Sequence, residues 1–292
     1  MIAFSELNPI AIFIYYICVV IMCMFCINPI TALVSLCFAL ALWFIKNGKK
    51  NAKSHLLYAM FFILISVLNP LFTHNGKTVL FVMNDNPVTL EALYFGITMA
   101  LMIISTLYWC KSFSQIMTSD RLLYIFGRVS PKTALILSMT IRMIPLFKNQ
   151  SEKTDNAQRA MGFYKDETFF SKLKGKIRVF SIMLTWAIEN AVVTADSMSA
   201  RGYSSEKRTS YALFRFGKTD AIFTAVTLLL SVPLALMIIT GKGTFVFYPT
   251  FELPEFSLPN IFAYVCFFIL CAIPFLSEAG DKIKWKYFQS TI

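Results

Sequence analysis

Residues 221–240 have the sequence AIFTAVTLLLSVPLALMIIT, twenty consecutive positions without a charged side chain. A helix of about 20 apolar residues spans the roughly 30 Å hydrocarbon core of a bilayer. Five further apolar runs of similar length lie at residues 9–27, 29–45, 56–72, 92–110 and 259–276. The sequence therefore predicts an integral membrane protein with six transmembrane helices.

Composition agrees with this class, because 57% of the residues are hydrophobic and 29 are phenylalanine, more than is usual for a soluble domain. A basic insert separates the fourth apolar run from the fifth. We predict an all-α membrane protein in three parts. Residues 1–110 form four transmembrane helices, residues 111–218 a cytoplasmic layer of about three helices, and residues 219–292 two transmembrane helices with a basic cytoplasmic tail.

Lysine and arginine are distributed unevenly between the connections that link the six runs. The insert carries 18 of the 27 basic residues, whereas Lys77 and Lys242 are the ones on the opposite side of the predicted bilayer. Because cytoplasmic loops carry the excess of Lys and Arg, we predict that both termini and the insert are cytoplasmic. The same asymmetry explains most of the net charge of +11, so nucleic acid is not predicted as a partner.

Two stretches of the insert, 133–147 and 177–195, are almost apolar enough to cross the bilayer. If both crossed it, the basic link between them would be exported against the charge asymmetry. We therefore predict helices that lie along the cytoplasmic face, each with a polar stripe at helical spacing. A third helix at 120–129 is predicted before them, from the start signal at 118–120 and the break at Ser130-Pro131.

An arginine and a proline stand out in the first long insert helix. Arg142 lies among leucine and methionine, and Pro145 follows it closely. A buried arginine is normally paired, so Glu189 on the second long helix is a candidate partner. The alternative is that Arg142 extends to lipid headgroups. Pro145 is expected to kink its helix, because proline removes one backbone hydrogen bond.

The two long insert helices end alike. The first runs into AQRAMG at 157–162 and the second into ADSMSARGY at 195–203. Taken alone, each is an ordinary helix end, because glycine readily takes the left-handed conformation that closes a helix. Two basic tips of one design on consecutive helices are instead what a coupling surface for a pair of related subunits requires.

These features resemble the transmembrane T component of energy-coupling factor transporters, which are ABC-type importers of vitamins and transition-metal ions. The resemblance covers almost the whole chain. Family members carry two Ala-Arg-Gly signatures at the ends of cytoplasmic coupling helices, and Ala200-Arg201-Gly202 matches the second. Residues 140–145 (TIRMIP) and Arg208-Thr209 are also similar to family segments.

The first signature departs from the family pattern, because Met161 stands at the arginine position. On a continuing helix Arg159, two residues earlier, points about 160° away from that position. The resemblance implies ATPase contacts for one residue set at each tip: Arg159, Ala160 and Gly162 at the first, and Ala200, Arg201 and Gly202 at the second. We assign supporting roles to Arg142, Pro145, Glu189, Asp196 and Arg208.

The resemblance implies a mechanical function in a bacterial plasma membrane. Two cytosolic ATPase subunits close on ATP, each holding one helix tip, and the motion reaches a small membrane subunit that captures the substrate. No catalytic residue, cofactor or metal is predicted. Cys23 and Cys26 have the spacing of a zinc half-site, but no second pair accompanies them, so the seven cysteines are interpreted as apolar packing residues.

Two other classes stay open, a self-contained permease and, behind it, an integral membrane enzyme. The predicted spans hold no paired carboxylates and no histidine cluster, and their ionisable residues, Glu91 and Asp220, lie at span edges. Ion-coupled transporters and membrane enzymes need such groups inside the bilayer. The order of preference is therefore transmission subunit, permease, enzyme.

Overall fold

A computed structural model describes residues 4–47, 52–73, 76–83, 86–163, 169–203, 214–241, 245–248 and 257–291. These residues form nine α-helices, a short 3-10 helix at Phe4–Glu6 and one antiparallel hairpin. The helices are α1 (Pro9–Phe25), α2 (Pro29–Asn47), α3 (Ala52–Phe72), α4 (Leu90–Ile116), α5 (Ser119–Val129), α6 (Pro131–Ala160), α7 (Phe169–Ala200), α8 (Lys218–Thr240) and α9 (Leu258–Thr291). The strands are β1 (Val79–Met83) and β2 (Asn86–Thr89). The predicted all-α membrane fold is confirmed, with the hairpin as an addition.

The described residues divide into two compact units. Unit 1 holds the part up to Leu122 and the part from Phe214 onward, with α1 to α4, α8 and α9. Unit 2 lies between these points in the sequence and holds most of α5 together with α6 and α7. The three helices predicted for the insert are present. Its predicted limits at 111 and 218 stay a prediction, and α4 continues past the first of them.

Six helices of the described part are long and apolar enough to cross a membrane, namely α2, α3, α4, α7, α8 and α9. This set differs from the predicted one at two places. Helix α1 has 17 residues, which is at the lower end of the length that spans a bilayer. Helix α7 qualifies by length and composition, so its exclusion from the bilayer rests on the charge asymmetry and stays a prediction.

Several buried polar groups in unit 1 are paired between helices, as an apolar surrounding favours. The Tyr15 hydroxyl donates to the Leu270 carbonyl at 3.0 Å, and the Tyr16 hydroxyl lies 2.9 Å from that of Ser112. The Trp109 indole Nε1 donates to the Ser35 hydroxyl at 2.9 Å. These bonds join α1, α2, α4 and α9 around a core of edge-to-face aromatic rings.

Four helix ends meet at one end of unit 1. The buried Asp220 carboxylate, at the start of α8, accepts the backbone N–H of Asn8 and of Gly217, both at 2.9 Å. The Lys46 ammonium at the end of α2 pairs with Glu278 of α9 at 3.3 Å. Because the first half of α1 also packs on the last turns of α4, the start of α1, the end of α4, the start of α8 and the second half of α9 lie at the same end.

The hairpin closes the opposite end of unit 1 against the start of α4. The buried Glu91 side chain accepts the Thr78 hydroxyl at 2.8 Å and the Thr78 backbone N–H at 3.2 Å. Gly76 fits here because its φ of 145° disfavours other residues and because a Cβ would lie 2.6 Å from a Glu91 oxygen. Lys77 therefore lies at the end of unit 1 opposite to Lys46.

Unit 2 is built on the antiparallel pair α6 and α7. The Phe147 and Trp186 rings meet edge to face at 5.4 Å, and the Thr154 hydroxyl lies 4.0 Å from the Met183 sulfur. Few described side chains of this unit are buried, notably Gln158, Val179 and Met183. Much apolar surface stays exposed, so this unit needs a membrane or partner proteins to cover it.

Candidate functional site

The C-terminal end of α7 carries the Ala-Arg-Gly tip predicted from the sequence. Ala200 is the last helical residue, and Arg201 and Gly202 form the turn that follows. The Gly202 N–H donates to the Ser199 carbonyl and the Tyr203 N–H to the Met198 carbonyl, both at 3.0 Å. With Gly202 at φ 75°, this bond pattern is a Schellman motif, which fixes the path of the backbone at the tip.

The C-terminal end of α6 has the same backbone pattern. Ala160 is the last helical residue, and Gly162 has φ 77°. The Gly162 N–H donates to the Arg159 carbonyl at 2.9 Å, and the Phe163 N–H donates to the Gln158 carbonyl at 3.2 Å. The two tips are therefore equivalent residue by residue. The equivalence begins with Gln158, which is buried, and Met198, which is partly buried, and it ends with the aromatic residue that follows each glycine.

This equivalence pairs Met161 with Arg201. Both occupy the position between the last helical residue and the left-handed glycine, and both side chains are exposed. Arg159 corresponds to Ser199 instead, two positions too early to replace the missing arginine. The substitution seen in the sequence is therefore a difference in side chain on an unchanged backbone.

Two guanidinium groups nevertheless lie near the first tip. Arg159 donates from Nε to the Asp155 carboxylate at 2.9 Å within its own helix. Arg178 of α7 lies over the Phe163 ring, 4.3 Å from its centroid. A guanidinium over an aromatic face still presents the N–H donors in its plane to a partner. The sequence did not indicate the position of Arg178, because the contact joins two helices.

The structure does not form the predicted Arg142–Glu189 ion pair among its described residues, and both side chains are exposed. The reason is the register between the helices. The contact of Phe147 with Trp186 places Arg142 level with about residue 191, two residues beyond Glu189 and on a different face of α7. Helical periodicity identifies the face of each helix but not the offset between two helices.

The other predicted residues fall in three places. Pro145 lies inside α6, which continues on both sides of it, and the kink stays a prediction. Asp196 lies in the last two turns of α7 with an exposed side chain. Arg208 lies outside the described residues.

Aromatic residues after the glycines belong to the tips and were missed in the sequence analysis. Phe163 and Tyr203 donate the closing hydrogen bond of each Schellman motif, and their side chains are about half exposed. The repeated signal was present in the sequence as Ala-x-Gly-aromatic at 160–163 and 200–203. Apolar residues at this position commonly accompany the motif.

Relatives of the chain include membrane proteins with transport names. A protein of Mycoplasma pneumoniae named "Uncharacterized protein MG181 homolog" is 32% identical over 112 residues, which is 38% of this chain and 25% of that protein. "Energy-coupling factor transporter transmembrane protein EcfT 1" of Listeria monocytogenes is 30% identical over 106 residues, 36% of this chain and 40% of that protein. In both cases the match covers well under two thirds of the relative's length.

A longer match is found with "Energy-coupling factor transporter transmembrane protein EcfT" of Staphylococcus aureus, 24% identical over 259 residues, 82% of this chain and 93% of that protein. The sequence model of the family CbiQ, described as "Cobalt transport protein", matches residues 4–211, well over half of the chain. That range includes α1 to α7, and with them the two tips. The chain is therefore a multi-pass membrane protein that belongs to the CbiQ family.

Proposed function

We propose that the chain is the transmembrane transmission subunit of an energy-coupling factor importer. It couples ATP hydrolysis by two cytosolic ATPase subunits to a separate, small membrane subunit that binds a vitamin or a transition-metal ion. The observation that carries this proposal is the pair of equivalent Schellman tips at the ends of α6 and α7. The names of the EcfT relatives support it.

The second tip is suited to an acidic groove. Arg201 lies on a backbone fixed by two hydrogen bonds, so little conformational entropy is lost when a partner binds it. Its exposed guanidinium can donate two parallel hydrogen bonds to a carboxylate. A partner that closes on ATP can therefore push or pull α7 through a short, rigid connection.

The first tip offers different chemistry on the same backbone. Met161 presents an exposed, adaptable thioether chain, while Arg178 provides a guanidinium beside Phe163. We infer that this tip enters an ATPase groove that is more apolar than the groove for Arg201, with Arg178 supplying the cation. The two ATPase subunits would then contact this chain through unlike surfaces.

The proposal places both termini and residues 111–218 in the cytoplasm of a bacterium, with residues 1–110 and 219–292 forming the membrane parts. The shared end of unit 1 supports this, since it carries Lys46 and Lys111 while Lys77 lies at the other end. Such an arrangement agrees with the positive-inside rule. The role of the chain is mechanical, so it needs no catalytic residue of its own.

Copurification tests this function. The tagged full chain, extracted in mild detergent from its own host, is expected to bring down two nucleotide-binding subunits and one small membrane protein. ATP hydrolysis in that extract should disappear when the nucleotide-binding subunits are removed. Transport by the chain alone in liposomes would replace the proposal with a permease, and hydrolysis by the chain alone would replace it with an enzyme.

A further inference from the structure

An open groove of about 1060 Å³ runs between α6 and α7 within unit 2. Its floor includes Val179 and Met183, which are buried, and continues over Phe180 and Leu184, which are 67% and 48% exposed. This volume is at the upper end of the range for small-molecule sites, about 300 to 1,000 Å³. Of the tip residues, Arg159 lines it, whereas Arg201 and Met161 do not.

The rim of the groove is cationic. Its charged lining residues are four cations and two carboxylates: Lys148, Arg159, Lys172, Lys176, Glu152 and Asp155. Asp155 is already bonded to Arg159. An uncharged helix pressed into the groove would leave lysine ammonium groups against hydrocarbon, which carries a high desolvation cost. The charge therefore favours an anionic occupant.

On α7, the lysines of the groove come before most of its apolar lining residues. Lys172 and Lys176 line its beginning on α7, and Ala187 lines its far end. From Lys176 to Ala187 the helix rises about 16 Å. This is close to half of the roughly 30 Å hydrocarbon core, so an extended acyl chain of one leaflet matches the groove in length. The fourth cation, Lys148, lies nearer the far end.

The surface next to the groove is typical of a helix at the lipid interface. Phe169, Phe170 and Ile177 at the start of α7 are 74%, 77% and 61% exposed, and three lysines lie between Phe170 and Ile177 in the sequence. Basic amphipathic helices with large exposed apolar side chains lie at the boundary between headgroups and acyl chains. An occupant drawn from the membrane therefore has direct access to the groove.

We propose that the groove between α6 and α7 binds an anionic phospholipid. The lipid phosphate is held by Lys172 and Lys176, as basic pockets on cytoplasmic faces hold anionic headgroups. One acyl chain lies along Val179 and Met183 toward Ala187. The proposal depends on the groove alone and holds whether or not the tips bind ATPases.

Titration of phosphatidylglycerol into the full chain in neutral detergent micelles, with bound lipid counted by native mass spectrometry, tests the site. Lys172→Gln with Lys176→Gln is expected to weaken binding about thirtyfold, because each lysine near an anionic headgroup contributes strongly. The control is Lys132→Gln with Lys174→Gln, which removes the same charge from exposed positions of unit 2 outside the groove and should leave binding unchanged.

A second pair of variants tests the acyl-chain half. Ala187→Trp fills the far end of the groove and should weaken phosphatidylglycerol binding, whereas Ala191→Trp, on the same helix but outside the lining, should not. Equal losses in both lysine pairs, or equally tight binding of phosphatidylcholine, would overturn the proposal. Displacement by millimolar inorganic phosphate, or loss of bound lipid when partner subunits are added, would overturn it as well.

Discussion

At the residue scale, comparison of the tips of α6 and α7 distinguishes the role of the backbone from the role of the exposed side chain. The backbone is shared, with glycine φ values of 77° and 75°, while the exposed side chain before the glycine is methionine in one and arginine in the other. The two tips thus share a backbone conformation but differ in side-chain chemistry. The same change to either glycine should therefore have the same effect on its own tip. A change to Met161 or Arg201 should affect only the partner that contacts that residue.

Replacing Arg201 with alanine is expected to weaken the association of one ATPase subunit by about 2 to 5 kcal/mol, the cost of truncating one member of a desolvated charge pair. The variant should remain in the membrane, because Arg201 is exposed and its backbone bonds are kept. Pull-down of the ATPase subunits from detergent extracts measures the loss.

Arg201→Lys is the matched variant, since it keeps the charge but not the two-donor geometry, and should bind with intermediate strength. Met161→Ala serves as the comparison at the equivalent position and should spare the subunit that binds Arg201. Full transport by Arg201→Ala would rule out the role assigned to this residue.

Gly162→Ala and Gly202→Ala should each destabilise a helix end by about 1 to 2 kcal/mol, because both glycines have φ in the left-handed region. Hydrogen exchange of the Phe163 and Tyr203 amides, which close the two motifs, should become faster, by a factor that is similar at the two tips. Gly280→Ala, in a helix with open space around it, should be neutral or stabilising. Unequal effects at the two tips would show that the motifs are not equivalent in solution.

The tips could be predicted from local chemistry, whereas the contacts between helices could not. Glycine at a helix end and proline at a helix start act through their own backbones, so the ends of α6 and α7 followed from the sequence. The Arg178–Phe163 contact and the failed Arg142–Glu189 pair both depend on the offset between α6 and α7. Nothing in a single helix's periodicity determines that offset.

At the element scale, the helices are longer than their apolar signals. The apolar stretch of the first long insert helix covers 133–147, whereas α6 continues through a polar second half to Ala160, as the tip predicted at 157–162 requires. Helix α9 likewise continues from the apolar run into the basic tail. The existence and order of the helices and the end of α6 were predicted correctly, whereas the continuation of α9 into the tail was not predicted.

The hairpin was not predicted, although the polar sequence NDN at 84–86 lies between two apolar stretches and is typical of a turn. Gly76→Ala should destabilise this hairpin by about 1 to 3 kcal/mol, the usual cost of a residue held in a disfavoured backbone region, and a Cβ there would also meet Glu91 and Thr89. Hydrogen exchange of the Leu90 amide, which donates to the Thr78 carbonyl, measures the effect.

Gly127→Ala is the control for this change, because its Cβ would make only an ordinary contact with Ala134. An unchanged Leu90 amide in Gly76→Ala would contradict the structural role given to Gly76.

At the scale of the whole molecule, the proposed topology predicts which side of the membrane each part of the chain faces, and this can be measured by labelling. In a background without native cysteines, Tyr203→Cys should react with a membrane-impermeant maleimide only in opened cells. Val82→Cys, on the exposed hairpin, should react in intact cells. Labelling of Tyr203→Cys from outside would reverse the proposed topology and remove the ATPases from reach of the tips.

The sparse burial in unit 2 has a consequence for the life of the protein in the cell. With few side chains buried and many large apolar ones exposed, newly made chains that fail to assemble present the kind of surface that quality-control proteases recognise. We expect the abundance of this subunit to follow the supply of its companions, so that synthesis of the complex is balanced by degradation of the surplus.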